Sequence, residues 1–362
     1  MRPADTSREV VLRLSTDPAL RHRFLVLDEP IPGNVRFGLL LEELDRLAGE
    51  IALAHARRAA PGARVVTAAV DEILMRGIAS PERDLACRGR INRVGRTSME
   101  IGIRVEQEGG VHLASCYFTM VARDGDGPSA RSIAVPAIEP GDEVERARAR
   151  KASGRAASYR AQAAAAVEAP SHEEYQALAP LHLAQDGHGF RGLLASALQA
   201  ESWERTYPEQ ENLSRIIFGG YIMRRAYELS SICAERAATH RPVIAAVNRV
   251  NFIHPVHIGD KLHLTSRVVY TEGAALCVET GIERVSRDRT ARALSNSCLF
   301  TFLNVDPDLV PREAPPVHPA TYAEDARWLA ARRNLRALAG RLRGPWLGLG
   351  GGGLPPKAAP AK

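Results

Sequence analysis

The hydrophobic positions of this chain fall into long stretches with helical spacing and shorter stretches that alternate. Residues 37–58 carry apolar side chains three or four positions apart, which predicts one long amphipathic helix. Its predicted buried stripe comprises Leu40, Leu44, Leu47, Ala48, Ile51 and His55. Four strand-like runs follow, near 63–76, 84–94, 97–107 and 111–123. The third run alternates with the period of two that is typical of a half-buried strand.

The same order of elements recurs in the second half of the chain. A helix is predicted near 219–238, and strands are predicted near 242–253, 260–271, 274–285 and 290–304. Short motifs repeat with it: residues 115–119 read SCYFT and residues 297–301 read SCLFT, while 68–71 (AAVD) match 245–248 (AAVN). A short strand is predicted before each helix, at 8–14 and 198–205. The chain therefore contains one structural unit twice.

A long helix followed by antiparallel strands, without β-α-β alternation, is an α+β arrangement. Two copies predict a tandem (double) hotdog fold, in which each antiparallel sheet wraps around its long central helix. A solvated linker helix is expected over 142–168 and a further helix over 318–341. The expected organisation is an N-terminal hotdog domain (1–130), a helical linker (131–195), a C-terminal hotdog domain (196–310), a helical extension (311–343) and a disordered tail rich in glycine and proline (344–362).

Composition narrows the class of protein further. The 362 residues are 45% hydrophobic and 25% charged, which suits two globular cores. The net charge of +6 is mild, and the densest basic stretch, 145–160, has almost no aromatic residues to stack on bases, so nucleic acid is not an expected partner. No apolar run approaches the ~20 residues of a membrane span. The first residues also lack the apolar core of a secretory signal.

Five scattered cysteines without a CxxC pair disfavour both a disulfide framework and a cysteine-based zinc site. A reducing cytoplasm is therefore the expected location. His254 and His257 are three residues apart, but no nearby acid or cysteine completes a ligand set, so no metal is expected.

Several motifs carry a resemblance to a known family. Residues 35–38 (VRFG), 42–45 (EELD) and 120–124 (MVARD) resemble the first half of double-hotdog acyl-CoA thioesterases of the mitochondrial thioesterase 9 type. Residues 217–220 (IFGG), followed by Met223-Arg224 and 226–229 (AYEL), are similar to the second half. The resemblance covers about residues 8–330. It implies hydrolysis of acyl-CoA to a fatty acid and CoA without a cofactor, and a homo-oligomer, as a trimer of double-hotdog chains or a dimer.

Thioester hydrolysis needs a base or nucleophile and a group that polarises the carbonyl. Unpaired N–H groups at a helix N-terminus can do the second, and glycine there allows close approach. Gly38 begins one helix and Gly219 with Gly220 begins the other. Asp45, two turns into the first helix, is the candidate carboxylate, either as base or as nucleophile, and the resemblance places the catalytic acid there.

The two copies differ at the candidate catalytic positions. Asp45 is matched by Tyr227 in the second helix, and the adjacent Glu228 is expected on the polar face, in a solvent-exposed pair with Arg224. The resemblance assigns a carbonyl- or water-holding role to Asn212, whereas a turn role is an equal alternative; Pro30 stands at the matching position of the first copy. We therefore expect one composite site, from Asp45, Asn212, Gly219 and Gly220, and an inactive opposite site.

Coenzyme A would bring several phosphate charges. Its candidate contacts are Gly38, Phe218, Arg93, Arg96, Arg287 and Arg289. Two alternatives remain: a hotdog hydratase or dehydratase, for which His55 lies too far along the helix to pair with Asp45, and a non-catalytic acyl-CoA binding module. The sequence does not define the preferred acyl chain length.

Overall fold

A computed structural model of the chain describes residues 1–29, 31–125, 130–165, 169–187, 189–211 and 217–339. The first half contains β1 (Arg8–Leu12), α1 (Pro18–Phe24), α2 (Phe37–Ala56), β2 (Arg64–Met75), β3 (Leu85–Val94), β4 (Ser98–Gln107), β5 (Val111–Asp124) and β6 (Arg131–Ser132). The connecting segment contains α3 (Glu143–Ala165), α4 (His172–Gln185) and β7 (Leu193–Leu194).

The second half repeats the long helix and its strands. It contains β8 (Gln199–Arg205), α5 (Gly219–Glu235), β9 (Arg241–Phe252), β10 (Lys261–Glu272), β11 (Ala275–Val285), β12 (Arg292–Val305), β13 (Val317–His318) and α6 (Tyr322–Ala339). The eight predicted long strands and both central helices are therefore present, and the helices end two or three residues earlier than predicted.

The two halves join edge to edge in one continuous antiparallel sheet. Its strand order is β1-β3-β4-β5-β2-β9-β12-β11-β10-β8, so β2 and β9 form the seam, with Ala69 opposite Asn251 and Leu74 opposite Ala246. The predicted stripe of α2 is buried along its whole length, from Leu40 to His55. Helix α2 packs beside α5 at the centre of the molecule. This is the tandem hotdog fold that the repeated pattern predicts.

The connecting segment differs from the prediction of a solvated linker helix. Helix α3 packs on the outer face of the first sheet, where Glu145 is 2% exposed and Ala152 is 1% exposed. Its alternating Ala and Arg residues have no clear apolar stripe, so the sequence pattern conceals this contact. Helix α4 was not predicted because Pro180 interrupts its pattern, although the capping box of Ser171 and Glu174 marks its start.

Helix α6 covers the outer face of the second sheet, where the Trp328 ring meets the Tyr270 ring edge-on at 4.9 Å. Within the described ranges, no helix combines the length and apolarity needed to cross a bilayer. The predicted tail, 344–362, lies outside the described residues.

Candidate active site

Helix α5 receives its N-terminal cap from the other half of the molecule. Its own N-cap residue, Phe218, has no side chain that can accept a hydrogen bond from the first turn. Instead, the backbone N–H of Gly220 donates to Oδ2 of Asp45, on α2, at 2.7 Å. The positive end of the α5 dipole favours a carboxylate there. Asp45 and the glycines of the second helix are thus brought together across the domain interface.

The second oxygen of Asp45 also has a partner. The Thr67 hydroxyl, on β2, donates to Oδ1 of Asp45 at 2.7 Å. Asp45 itself is 1% exposed. Thr67 is not predictable as a site residue from the sequence, because threonine is common in strands for its β propensity alone.

Burial raises the pKa of Asp45 from 3.8 to about 6, because desolvation penalises the charged form. The hydrogen bonds from Thr67 and Gly220 act in the opposite direction, and nearby Glu42 raises the pKa slightly further. A carboxyl group that ionises near pH 6 is mostly a base at neutral pH and is more basic than an exposed aspartate. This suits a group that takes a proton from water.

Both glycines at the start of α5 lie close to neighbouring groups. A Cβ on Gly219 would lie 3.1 Å from the Phe252 ring and 3.2 Å from Oδ2 of Asp45. A Cβ on Gly220 would lie 2.9 Å from the Cα of Glu42, and closer still to the ring of Phe218. The Gly219 N–H has no hydrogen-bond partner within the described part of the chain, so it is free to donate to a substrate.

A cavity of about 370 Å³ opens beside this carboxylate. Thr67 and Gly219 form the part of its wall nearest Asp45. The end of β5, the start of α5 and the loop after β9, which includes His254 and His257, also line the cavity. Since Asp45 bonds to Gly220 and Thr67 and approaches Gly219, it lies directly behind that wall. The arrangement places a base next to a volume that a small acyl group could enter.

Arg123 is a cavity residue that the sequence analysis did not select. Its Nε is buried without a hydrogen-bond partner in the described structure, and its guanidinium donates to the Ala130 carbonyl. A guanidinium with spare donors suits a carbonyl or phosphate oxygen. The signal was present, because Arg123 belongs to the MVARD motif of residues 120–124.

At the matching position of the second half, aromatic rings replace the polar groups. Tyr227, the counterpart of Asp45, contacts the ring of Phe37 at 5.0 Å between centroids and the ring of Phe302 at 6.0 Å. Ile244 stands where the repeat places Thr67. A Cβ on Gly38 would lie 3.4 Å from the Tyr227 ring. Gly38 therefore belongs to this opposite site and not to the cavity. Pro30 lies outside the described residues.

Glu228 is held in ion pairs and is less exposed than predicted. Its carboxylate contacts Arg36 at 2.6 Å and Arg225 at 2.7 Å, and lies 3.8 Å from Arg224. Its side chain is 19% exposed. The expected solvent-exposed pair with Arg224 is therefore part of a half-buried network that joins α5 to the start of α2.

The remaining predicted contacts are scattered. Phe218 packs over Gly220, and Arg287 lies over Gly259 in the turn beside His257. Arg93, Arg96 and Arg289 are exposed and do not line the cavity. Asn212 lies outside the described residues.

His254 and His257 form part of the cavity wall. The Nδ1 of His254 contacts the Leu294 carbonyl, and the backbone N–H of His257 donates to Asp260. The structure describes no cluster of three or more metal-ligating side chains in its ranges.

Comparison with known proteins agrees with this geometry. The thioesterase superfamily domain matches residues 33–114 and 215–291, once in each half. The human protein acyl-coenzyme A thioesterase 9, mitochondrial, is 31% identical over 359 residues, covering 94% of this chain and 79% of its own length. This chain belongs to the acyl-CoA thioesterase 9 family.

Other members and a solved structure fit the same assignment. Mouse acyl-coenzyme A thioesterase 10, mitochondrial, is 29% identical and covers 92% of this chain and 78% of its own length. An acyl-ACP thioesterase structure from Bacteroides thetaiotaomicron superposes with a TM-score of 0.50 at 10% identity, covering 83% of this chain and 100% of that one. At that identity the likeness concerns the fold alone.

The names of the family members also correct one prediction. The expected cytoplasmic location is wrong, because the human, bovine and mouse thioesterase 9 proteins, which match most of this chain, are named as mitochondrial. Free cysteines argue against a disulfide-forming compartment, but they do not distinguish one reducing compartment from another.

Proposed function

We propose that this chain hydrolyses acyl-CoA thioesters to free fatty acids and CoA at one composite site. The observation that carries the proposal is the Asp45 carboxylate of the first half, bonded to the Gly220 N–H of the second half behind a cavity. Family membership supplies the substrate class, and the aromatic cluster around Tyr227 supports a single site per chain.

In the proposed mechanism, Asp45 acts as a general base. Its carboxylate lies behind the cavity wall, which favours proton removal from a water molecule over direct attack on the thioester. The Gly220 N–H is already bonded to Asp45, so the Gly219 N–H is the amide left to stabilise the developing oxyanion. Water adds to the carbonyl carbon, the C–S bond breaks, and the CoA thiolate leaves. Asn212 is proposed to help hold the carbonyl or the water.

Recognition of CoA is assigned to the rim of this cavity. Arg123 has an unpaired buried donor there, and Arg287 lies above the turn that carries His257. We retain Phe218 as an indirect contact, because its ring packs on Gly220. Arg93, Arg96 and Arg289 are proposed contacts only for the distal phosphates of CoA, because none of them reaches the cavity wall.

The direct test is release of free CoA thiol from a panel of acyl-CoAs of increasing chain length, including an enoyl-CoA. We expect thiol release that depends on chain length and is lost in Asp45→Asn. Consumption of the enoyl-CoA double bond without thiol release would indicate a hydratase. Binding of acyl-CoA without either reaction would indicate a non-catalytic module, and both outcomes would contradict the proposal.

The role of Thr67 is tested through the pH dependence of kcat/KM. Its hydrogen bond favours the ionised form of Asp45, so Thr67→Val raises the Asp45 pKa above about 6. Because the reaction needs the ionised form, the acidic limb of the profile should move upward by about one pH unit. Thr67→Ser keeps the hydroxyl and should keep the wild-type limb. An unchanged limb in Thr67→Val would show that this bond does not tune the base.

Two further proposals concern the assembled protein. Hydrolysis uses only water as co-reactant, so we propose that no cofactor is required and that activity survives dialysis against EDTA. We also propose a homo-oligomer, a trimer of chains or a dimer, as the family resemblance implies. Light scattering coupled to size-exclusion chromatography distinguishes these from a monomer.

A further inference from the structure

A second and larger cavity lies on the outer face of the first sheet. It has a volume of about 620 Å³ and is bounded by β1, β3, β4, β5 and helix α3. Its floor includes backbone at Gly89 and Gly102 together with Ser115 and Tyr117. We refer to it as the α3 groove. Its volume is in the range of small-molecule binding sites.

The α3 groove is strongly basic. Its lining contains Arg8, Arg88, Arg90, Arg104, Arg148, Lys151 and Arg155. Three carboxylates pair with some of these cations: Glu9 and Glu106 with Arg88, Glu106 also with Arg104, and Glu100 with Arg155. Seven cations against three carboxylates leave an excess of four positive charges in one groove, where the whole chain has a net charge of +6.

Four of these cations have no carboxylate partner among the described residues. Arg8 comes from β1, Arg90 from β3, and Arg148 and Lys151 from one turn of α3. Like charges gathered from three separate elements repel one another and oppose the packing of α3 on the sheet. A bound polyanion would remove that repulsion and give each cation a partner.

Part of the groove is already rigid. Arg155 lies over the Tyr117 ring, 3.5 Å from its centroid, and pairs with Glu100, which also accepts a hydrogen bond from Asn92. Arg155 is therefore fixed, while Lys151 and Arg148, one and two turns earlier on α3, face the groove without a carboxylate partner among the described residues. Because the Arg155 end of the groove is already ordered, the entropic cost of binding an anion is lower.

The α3 groove is separate from the Asp45 site. Strands alternate their side chains between the two faces of the sheet, so Arg104 and Tyr117 face the groove while their neighbours Ile103 and Cys116 are buried on the α2 side. Asp45 belongs to α2 and so lies across the sheet from the groove. A ligand in the groove cannot contact the same carboxylate.

We propose that the α3 groove binds a small ligand that carries two or more phosphate groups. Clustered arginines match the oxygens of a phosphate chain. The shared chemistry is the polyphosphate, which could belong to a free nucleotide or to CoA itself, and the experiment separates these sources.

The test is isothermal titration of the full chain at low ionic strength with tripolyphosphate, ADP and CoA as probes. Two double variants on α3 have the same charge change. Arg148→Gln with Lys151→Gln removes groove cations, whereas Arg146→Gln with Arg150→Gln removes cations that pair with Glu143 on the exposed side. We expect tripolyphosphate and ADP to bind at one equivalent per chain. Affinity should fall at least about tenfold in the first variant and less than about threefold in the second.

Either of two results would overturn the proposal: no binding of tripolyphosphate or ADP to the wild type, or an equal loss of affinity in both double variants. A CoA affinity that falls in the groove variant would identify CoA as the source of the polyphosphate, and a CoA affinity that does not fall would identify a free nucleotide. If the groove variant does not fold, Arg90→Gln on β3 is the substitute, with the same expected loss of affinity. A ligand-induced rise in Tm that is absent from the groove variant provides a second readout.

Discussion

Replacing Asp45 by asparagine is expected to lower kcat about a thousandfold while making the protein more stable at neutral pH. Asparagine keeps the size of the side chain but cannot accept a proton from water, and a general base contributes about 10² to 10⁴ in rate. Release of CoA thiol under saturating acyl-CoA measures the loss. Because the substituted amide can still accept from Gly220, the capped start of α5 should remain in place.

The stability gain follows from the raised pKa of Asp45. A carboxyl group whose pKa rises from 3.8 unfolded to about 6 folded destabilises the fold as the pH increases through that window. Above pH 6 the buried Asp45 charge lowers the free energy of unfolding by its full amount, roughly 3 kcal/mol. Asp45→Asn removes this cost but forms weaker hydrogen bonds. We therefore expect its free energy of unfolding to be about 1–2 kcal/mol higher than that of the wild type. The gain should shrink as the pH is lowered toward 3.8.

The control is Glu228→Gln, which removes a charge from the neighbouring helix. It weakens the ion pairs with Arg36 and Arg225. It should reduce the free energy of unfolding in urea titrations and leave kcat within about threefold of wild type. Normal turnover by Asp45→Asn together with inactive Glu228→Gln would show that the wrong carboxylate has been assigned.

Gly219→Ala is expected to reduce kcat/KM about a hundredfold with little loss of stability. The added methyl group would lie 3.2 Å from Oδ2 of Asp45 and 3.1 Å from the Phe252 ring, at the cavity wall. It would occupy the approach between cavity and carboxylate, and a small displacement of reacting groups costs about this much in rate. Steady-state kinetics and thermal unfolding of the same preparation test both parts.

The start of the first helix provides a control for this substitution. Gly38, which the repeat matches to Gly220, lies at the opposite site. A Cβ there would press on the Cγ of Arg224 at 2.8 Å, away from the cavity and from Asp45. Gly38→Ala should therefore keep its activity. Equal losses in the two variants would mean that both helix starts contribute to catalysis, contrary to the single-site proposal.

The sequence was sufficient to predict secondary structure where the hydrophobic period matches the buried face of an element. Helix α2 and strand β4 carry clear periods, so their positions were predictable, and the repeat matched Asp45 to Tyr227, which left one candidate carboxylate for the two sites. Thr67 and Arg123 were not recognised because their importance depends on what lies opposite them in space. The packing of α3 was also hidden, because its contact with the sheet uses Arg155, paired with Glu100, and the small buried Ala152 instead of an apolar stripe.

The β2–β9 seam has a consequence for how the protein behaves on dilution. In a hotdog dimer made from two chains, a site shared between subunits is lost when the concentration falls below the dissociation constant. Here both contributors, Asp45 and Gly220, are on one polypeptide, so each meets the other at an effective concentration that the tether fixes. Dilution should therefore not separate the two halves, and the activity per chain should not fall for that reason. The tether also lets each half accept substitutions such as Tyr227 that would destroy both sites of a symmetric dimer at once.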